Sequence, residues 1–297
     1  MLTILTPTYN RGYILDNAYK SLLKQKNKNF EWLIIDDGSS DNTKSVVDEF
    51  IKENKIKIRY YKKLNGGKHT AVNYGVRKAM GEYILILDSD DYLVPVAVKE
   101  IEKFLNKYKN YDDICGLSFL KQFPNKKIVG KTYKGTEIIS NNIDFRYNKG
   151  IIGDMAEVYK TEVLKKYPFP IFKNEKFLSE AIVWNKIAFE YKTVYINMPI
   201  YVCEYLDDGL SKSCLKSRIR CPIGAYENAK VFLDNRFILK IRLKNSIIYT
   251  GFSLIKKRKI KDIINYSDNK LLIIFMFPFG FLFYIYLRII KKKENIN

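Results

Sequence analysis

A chain of 297 residues can bury one large core, or one domain with a smaller appendage, and its 47% hydrophobic content excludes wholesale disorder. Lys and Arg number 52 against 32 Asp and Glu, a formal charge of +20 that points to an anionic surface or ligand: lipid headgroups, nucleotide phosphates or nucleic acid. A lone histidine, His69, excludes His-rich zinc sites and leaves Ser-His-Asp or Cys-His chemistry only if His69 is its base, while Cys115, Cys203, Cys214 and Cys221 lack paired zinc spacing and read as cytosolic free thiols.

The N-terminus enters a strand at once, with no basic segment leading into a long apolar run, so no secretory signal is expected. Residues 2–6 form a short apolar strand, ended by the turn Pro7-Thr8-Tyr9-Asn10-Arg11-Gly12. A helix follows, with Ile14, Leu15, Ala18, Tyr19, Leu22 and Leu23 at helical spacing and Lys20, Lys24, Lys26 and Lys28 on its wet side. Residues 30–35 predict a second strand, running into a turn rich in capping residues from Asp36 to Thr43. Val46, Val47, Phe50 and Ile51 then mark an amphipathic helix. Residues 56–62 predict a third strand. Gly66-Gly67-Lys68 opens a basic loop before a helix that holds Ala71, Val72, Val76 and Ala79 and that Gly81 closes.

Residues 83–87 have no polar alternation, the pattern of a strand buried on both faces of a mostly parallel sheet. The strand ends in Asp88-Ser89-Asp90-Asp91. In open α/β sheets ligands sit beyond the carboxyl ends of strands. Asp88 and Asp90 flank Ser89 and can offer oxygens to one hard cation, which neutralises a diphosphate. The alternative role of these acids is to cap the helix that starts near Pro95. Three strand–helix alternations before a fourth strand predict an α/β fold with a doubly wound, mixed but mostly parallel sheet flanked by helices. A nucleotide suits this layout, with Asp36 available to base or ribose and Asp88 and Asp90 to metal and diphosphate. The absence of Gly-x-Gly-x-x-Gly after the first strand, and of a Walker lysine motif, disfavours dinucleotide and P-loop binding.

Thr6-Pro7-Thr8-Tyr9-Asn10-Arg11, then Trp32-Leu33-Ile34-Ile35-Asp36-Asp37-Gly38-Ser39-Ser40-Asp41, then Asn65-Gly66-Gly67-Lys68 through Asn73-Tyr74-Gly75, and Leu87-Asp88-Ser89-Asp90-Asp91 together resemble, in order, the family 2 glycosyltransferases of the bacterial surface-polysaccharide type. The resemblance covers residues 1–95. It implies a GT-A fold, a nucleotide-diphosphate sugar donor (a UDP-sugar foremost), Mn2+ or Mg2+ dependence and inversion at the anomeric carbon. It further implies transfer of a hexosyl or N-acetylhexosaminyl group to a glycan or polyprenyl-linked acceptor. By matching motif, Asp36 contacts the nucleobase and Thr6, Pro7 and Tyr9 line its pocket. Lys68 and Ser89 join the donor site, Asp88 approaches the ribose beside the metal, and Asp90 binds the metal.

Past Pro95 the pattern predicts a helix, a strand at residues 114–120, and a Lys-rich region to Asn148 with no readable topology. Residues 153–159 and 161–166 read as strand and short helix, and Ser179 is the expected N-cap of a periodic helix from Ala181 to Ala188. Family members often carry Glu-Asp at this point, with an acid taken as the base that deprotonates the acceptor hydroxyl. Ala181 stands in place of the second acid, so the resemblance passes that role to Glu180, with Asp154 as fallback base. The competing role of Glu180 is to favour the helix N-terminus through the dipole. Residues 193–205 predict one or two strands, and residues 206–213 form either a lid near the acceptor site or a surface turn, Asp-Gly being a common turn pair.

Lys256-Lys257-Arg258-Lys259-Ile260-Lys261 precede residues 271–287, an uncharged stretch that Pro278 and Gly280 are expected to interrupt. As a helix the stretch reaches about 25 Å, short of a hydrocarbon core of roughly 30 Å. Basic residues on both sides suit an element lying in the cytoplasmic membrane interface, or re-entering it, better than a full span; a buried dimer helix is the third alternative. The expected organisation is residues 1–95 as the nucleotide-sugar half, 96–235 as the acceptor half, and 236–297 as a helical, membrane-associating extension. A rival sugar nucleotidyltransferase needs a Gly-rich phosphate loop where Pro7-Thr8-Tyr9-Asn10 stands. A basic nucleic-acid-binding protein needs lysines clustered with exposed aromatics, whereas the longest basic runs flank the apolar tail, so no nucleic-acid partner is expected.

Overall fold

Strand and helix alternate through the first part of the chain as its hydrophobic pattern dictates: β1 (Leu2–Thr8), α1 (Leu15–Leu23), β2 (Phe30–Asp36), α2 (Thr43–Glu53), β3 (Ile58–Lys62), α3 (Lys68–Lys78) and β4 (Tyr83–Ile86). The computed structural model describes residues 1–204 and 214–294. Every residue of β1 and β2 is buried, the condition that unbroken apolar strands require. β1 runs parallel to β2 and β4, and β2 parallel to β3.

Next come β5 (Tyr92–Leu93), α4 (Ala97–Tyr108) and β6 (Ile114–Gln122). The Lys-rich region contains β7 (Glu137–Ser140) and a π-helical turn (Ile143–Asn148), followed by β8 (Met155–Lys160), α5 (Thr161–Lys166), α6 (Ala181–Ile187) and β9 (Lys192–Val202), the last a single strand. Among the described residues the sheet has nine strands in the order β3-β2-β1-β4-β8-β6-β9-β5, with β7 also on β9. It is mixed because β8 enters antiparallel to both β4 and β6, while β6 and β9 are parallel. On one side Tyr19, Trp32 and Phe50 stack, with ring centroids 4.1 Å apart for Tyr19 and Phe50 and 6.0 Å for Tyr19 and Trp32.

By contacts the described chain groups into two units. The first holds the sheet and comprises residues 1–142, 151–169 and 187–204; the second comprises residues 143–150, 170–186 and 214–294. The second contains α7 (Cys214–Arg220), α8 (Pro222–Val231), α9 (Leu239–Ile255), α10 (Ile260–Tyr266) and α11 (Lys270–Lys293) around Tyr226, Ala229, Tyr249, Phe252, Ile263, Ile273 and Leu287. The carboxylate of Glu175 accepts the Ile223 and Gly224 N–H groups at 2.8 and 2.7 Å, satisfying donors that the first turn of α8 leaves open.

One expectation is overturned here. Pro278 and Gly280 do not interrupt the last helix, which runs 24 residues without a break, about 36 Å at 1.5 Å per residue and enough to cross a bilayer by length. Pro278 removes one N–H, and the carbonyl thereby freed belongs to the exposed residue Ile274, where the loss is tolerated. Gly280 serves packing rather than a turn: a Cβ there would stand 2.5 Å from the Thr250 Cβ, so its missing side chain lets α11 close on α9.

Candidate active site

Two turns interlock beyond the carboxyl ends of β1 and β2. Asn10, at φ 52°, donates its N–H to Ser39 Oγ at 2.8 Å and accepts the Ser40 N–H on Oδ1 at 2.8 Å. Asp41 accepts the N–H groups of Gly12 at 3.1 Å and Thr43 at 3.0 Å. Asp36 is fully buried at the strand end; its Oδ1 accepts the Ser39 N–H at 2.7 Å and its Oδ2 the Tyr60 hydroxyl. Burial, with the adjacent Asp36 charge, raises the Tyr60 pKa. The neighbouring Asp37 clasps the next loop, accepting from Lys63 Nζ at 2.5 Å, Gly67 N at 2.7 Å, Gly66 N at 3.0 Å and Asn65 Nδ2 at 3.1 Å. Gly38, at φ 88°, passes so close that a Cβ would lie 2.9 Å from Asn65 N. Much of the polarity in these motifs is therefore spent on backbone.

Of the residues expected around a nucleobase, Thr6 is buried and accepts the Trp32 indole N–H at 2.9 Å, Pro7 is buried, and Tyr9 presents a side chain with the residue 49% exposed. His69 is buried in α3, and burial lowers its pKa, with Asp37 opposing and Lys63 reinforcing the shift.

At the end of β4 the acids meet cations. Lys68, the first residue of α3, pairs with Asp88 at 2.5 Å, each side chain 30% exposed, and Ser89 is buried between the two acids. Burial works to raise the Asp88 pKa, but Lys68 and Lys121 outweigh it and hold the carboxyl below its usual range. Asp90 is pushed up by burial and by the Asp88 charge, with Arg11 and Lys68 opposing. Asp91 is pushed up to about 7 by burial and Asp88, against Lys121 and a hydrogen bond from Tyr201.

Sequence reasoning missed two members of this cluster, Lys121 at the end of β6 and Tyr201 near the end of β9. The Lys121 ammonium lies 4.1 Å from the Tyr201 ring centroid. Its pKa is raised despite burial, by Asp88 and Asp91 first and then by Glu157 and Asp154. The local hint was a lysine closing an apolar strand; the pairing that carries it to Asp88 is long-range. Asp154 is exposed, precedes β8, and shares this unit with the acids. Glu180 belongs to the second unit, immediately before α6; its Oε1 is buried and its carbonyl accepts the Val183 and Trp184 N–H groups at 3.0 and 3.2 Å. The expected lid or turn at residues 206–213 lies outside the described residues.

Among the described residues no group of three or more His, Cys, Asp and Glu is arranged to hold a metal unaided. Asp88 and Asp90 nonetheless suit a hard divalent cation that draws its remaining ligands from a bound phosphate or water, since both supply oxygen and the charge of one raises the pKa of the other.

A family model described as Glycosyl transferase family 2 matches residues 3–167. The GalNAc(5)-diNAcBac-PP-undecaprenol beta-1,3-glucosyltransferase of Campylobacter jejuni subsp. jejuni is 31% identical over 240 residues, covering 79% of this chain and 74% of that protein. Glycosyltransferase GlyG of Streptococcus pneumoniae is 27% identical over 214 residues, covering 68% and 70%. Among solved structures, S. aureus TarS 1-349 in complex with UDP superposes with a TM-score of 0.63 at 17% identity, covering 99% of this chain and 91% of that one. The mannosyltransferase PcManGT from Pyrobaculum calidifontis, in complex with GDP-Man and Mn2+, gives 0.60 at 17% identity, covering 100% and 88%. These likenesses are to the GT-A fold, which this chain shares.

Proposed function

The chain belongs to glycosyl transferase family 2, and from that premise we propose that it moves a hexosyl or N-acetylhexosaminyl group, with inversion, from a UDP-sugar to a hydroxyl of a glycan or polyprenyl-linked acceptor in surface-polysaccharide synthesis. The observation that carries the reading is the Lys68–Asp88 pair beside Asp90 at the carboxyl end of β4, charges suited to a diphosphate and its counterion. The UDP complex of TarS and the undecaprenol-linked substrate in the name of the Campylobacter enzyme support the choice of donor and acceptor.

In this reading residues 1–95 form the donor half. Tyr9 and the strand ends at Thr6, Pro7 and Asp36 face the nucleobase, Asp88 and Ser89 the ribose, and Lys68 the diphosphate. Mn2+ or Mg2+, held by Asp90 with Asp88 beside it, supplies charge neutralisation for the departing diphosphate when bound. Residues 96–235 hold the acceptor, whose hydroxyl gives its proton to Glu180, or to Asp154 as the second choice. The acceptor oxygen forms the new bond to the anomeric carbon while the bond to the diphosphate breaks, its electron pair leaving with the nucleotide. Holding the two reactants in line supplies much of the acceleration.

Residues 236–297 dock on the cytoplasmic face of the membrane. On α11, Leu271, Phe275, Leu282 and Ile289 are 81%, 74%, 62% and 61% exposed and recur every four or seven residues, a continuous stripe on one side. Ile273, Met276, Gly280 and Leu287 on the helix are buried. Lys270 and Lys291, Lys292 and Lys293 flank the stripe, as an interfacial helix requires on an anionic leaflet.

The test is donor hydrolysis across UDP-, GDP- and dTDP-sugars with Mn2+ and Mg2+, for the parent and Asp90→Asn. Cation-dependent hydrolysis of one donor, abolished by the substitution, is expected. Turnover at the parent rate in Asp90→Asn overturns the site assignment.

A further inference from the structure

Asp91 is left without a task by the reading above, yet it and Tyr201 lock the acid loop to β9. The Tyr201 hydroxyl accepts the Asp88 N–H at 2.9 Å and donates to Asp91 Oδ2 at 2.8 Å. Asp91 Oδ1 takes the Glu204 N–H at 3.2 Å, and the Asp91 N–H closes the turn on the Asp88 carbonyl at 3.2 Å. One phenol thus grips the first and last residues of Asp88-Ser89-Asp90-Asp91, and its bond to Asp91 is made out of water, with Tyr201 0% and Asp91 5% exposed. The hydroxyl is not needed to join the strands. β5 already pairs with β9 through Tyr92 with Val202 and Leu93 with Tyr201, and the ring is held independently beneath Lys121.

We propose that Tyr201 and Asp91 are positioning residues that hold Asp88 and Asp90 in the one arrangement able to share a divalent cation with a nucleoside diphosphate. This rests on the donor-site reading above. A purely structural pair predicts a loss of melting temperature alone; a positioning pair predicts a change in metal requirement, because Asp88 and Asp90 lose their mutual placement while each keeps its charge.

The experiment uses the full chain and two probes, Mn2+ and UDP, with GDP in parallel. Calorimetry gives the Mn2+ concentration that half-saturates nucleotide binding in the parent, Tyr201→Phe, Asp91→Ala and Asp91→Asn. Losing a partner that orients a metal ligand typically weakens metal binding by about 10–100-fold, so Tyr201→Phe and Asp91→Ala are expected to raise that concentration roughly tenfold or more. Asp91→Asn, which keeps an acceptor for the Tyr201 hydroxyl, shifts it less. If Tyr201→Phe fails to fold, Asp91→Ala carries the same comparison. An unmoved Mn2+ half-saturation in the folded variants, whatever their melting temperatures, overturns the positioning role. A parent that binds neither UDP nor GDP with Mn2+ overturns the donor-site reading beneath it, and the two failures are thereby told apart.

Discussion

Replacing Asp37 by asparagine keeps the shape of the side chain but removes its charge where four donors converge: Lys63 Nζ, Gly67 N, Gly66 N and Asn65 Nδ2, at 2.5 to 3.1 Å. An amide offers one acceptor oxygen and turns an NH2 group toward donors. The variant therefore loses the Lys63 ion pair and sets the NH2 group against N–H groups. Breaking a fully buried ion pair costs about 3–5 kcal/mol. The Lys63 side chain is 18% exposed and water recovers part of its solvation, which puts the cost near the lower bound, about 3 kcal/mol. At about 2–4 °C per kcal/mol for a chain of this size class, the melting temperature falls on the order of 6–12 °C. The loop Asp37 holds leads into α3, whose first residue is Lys68, so nucleotide affinity is expected to fall as well. Thermal melting by circular dichroism, with UDP titration below the transition, reads both. A melting temperature within about 2 °C of the parent refutes the assignment of Asp37 as the clasp of this loop.

Glu31 is buried and accepts from Thr3 Oγ1 and Met80 N at 2.7 Å and from Arg59 at 2.9 Å; burial works to raise its pKa, but these bonds and the Arg59 charge outweigh it and hold the carboxyl below its usual range. Its stabilising contribution is complete above the unfolded carboxylate pKa of about 4.3 and is lost as pH falls through the lower folded value, so Glu31→Gln should flatten the acid limb of the stability curve, and an unchanged acid slope counts against it. Glu180→Gln should lower turnover about 100-fold or more with donor binding kept; lost donor affinity at unchanged turnover would move Glu180 to the donor pocket and the base to Asp154. Phe275→Ser with Leu282→Ser removes two large exposed apolar groups, each worth about 1.5–3 kcal/mol when fully buried, so binding to anionic liposomes should weaken about 100-fold or more. Flotation equal to the parent in low and high salt, or a changed oligomeric state in its place, rules out the membrane face.

The alternation from β1 to β4 was legible because it is local. Unbroken apolar runs at Trp32 to Ile35 and Tyr83 to Leu87, short and rich in isoleucine, read as strands covered on both faces, and the Ala18, Leu22 and Val72, Val76 spacings read as helices packed on one side. β7 was not legible: Glu137-Ile-Ile-Ser140 is half-buried, with no clear alternation, and pairs only with β9 in the described chain. The 24-residue length of α11 was missed because charge and Pro278 were taken as boundaries, whereas a helix carries charges at its ends and a proline where the freed carbonyl is exposed.

Sequence alone therefore determined the alternation of strand and helix from β1 to β4 and the adjacency of Asp88 and Asp90, which follows from their being two residues apart at a strand end. Asp36 and Asp37 stand side by side at the end of β2, and sequence offered a ligand role to Asp36 alone. Tertiary structure separated them by where their neighbours' donors lie: Asp36 is closed in by Ser39 and Tyr60, and Asp37 clasps Asn65, Gly66 and Gly67. It alone brought Lys121 and Tyr201 to the acids, because β8 enters antiparallel between β4 and β6 and so sets the ends of β6 and β9 beside a loop far from them in the chain. Hydrophobic periodicity records which face of a strand is buried, but not which strand lies next to it, and the charges around Asp88 depend on the second of these.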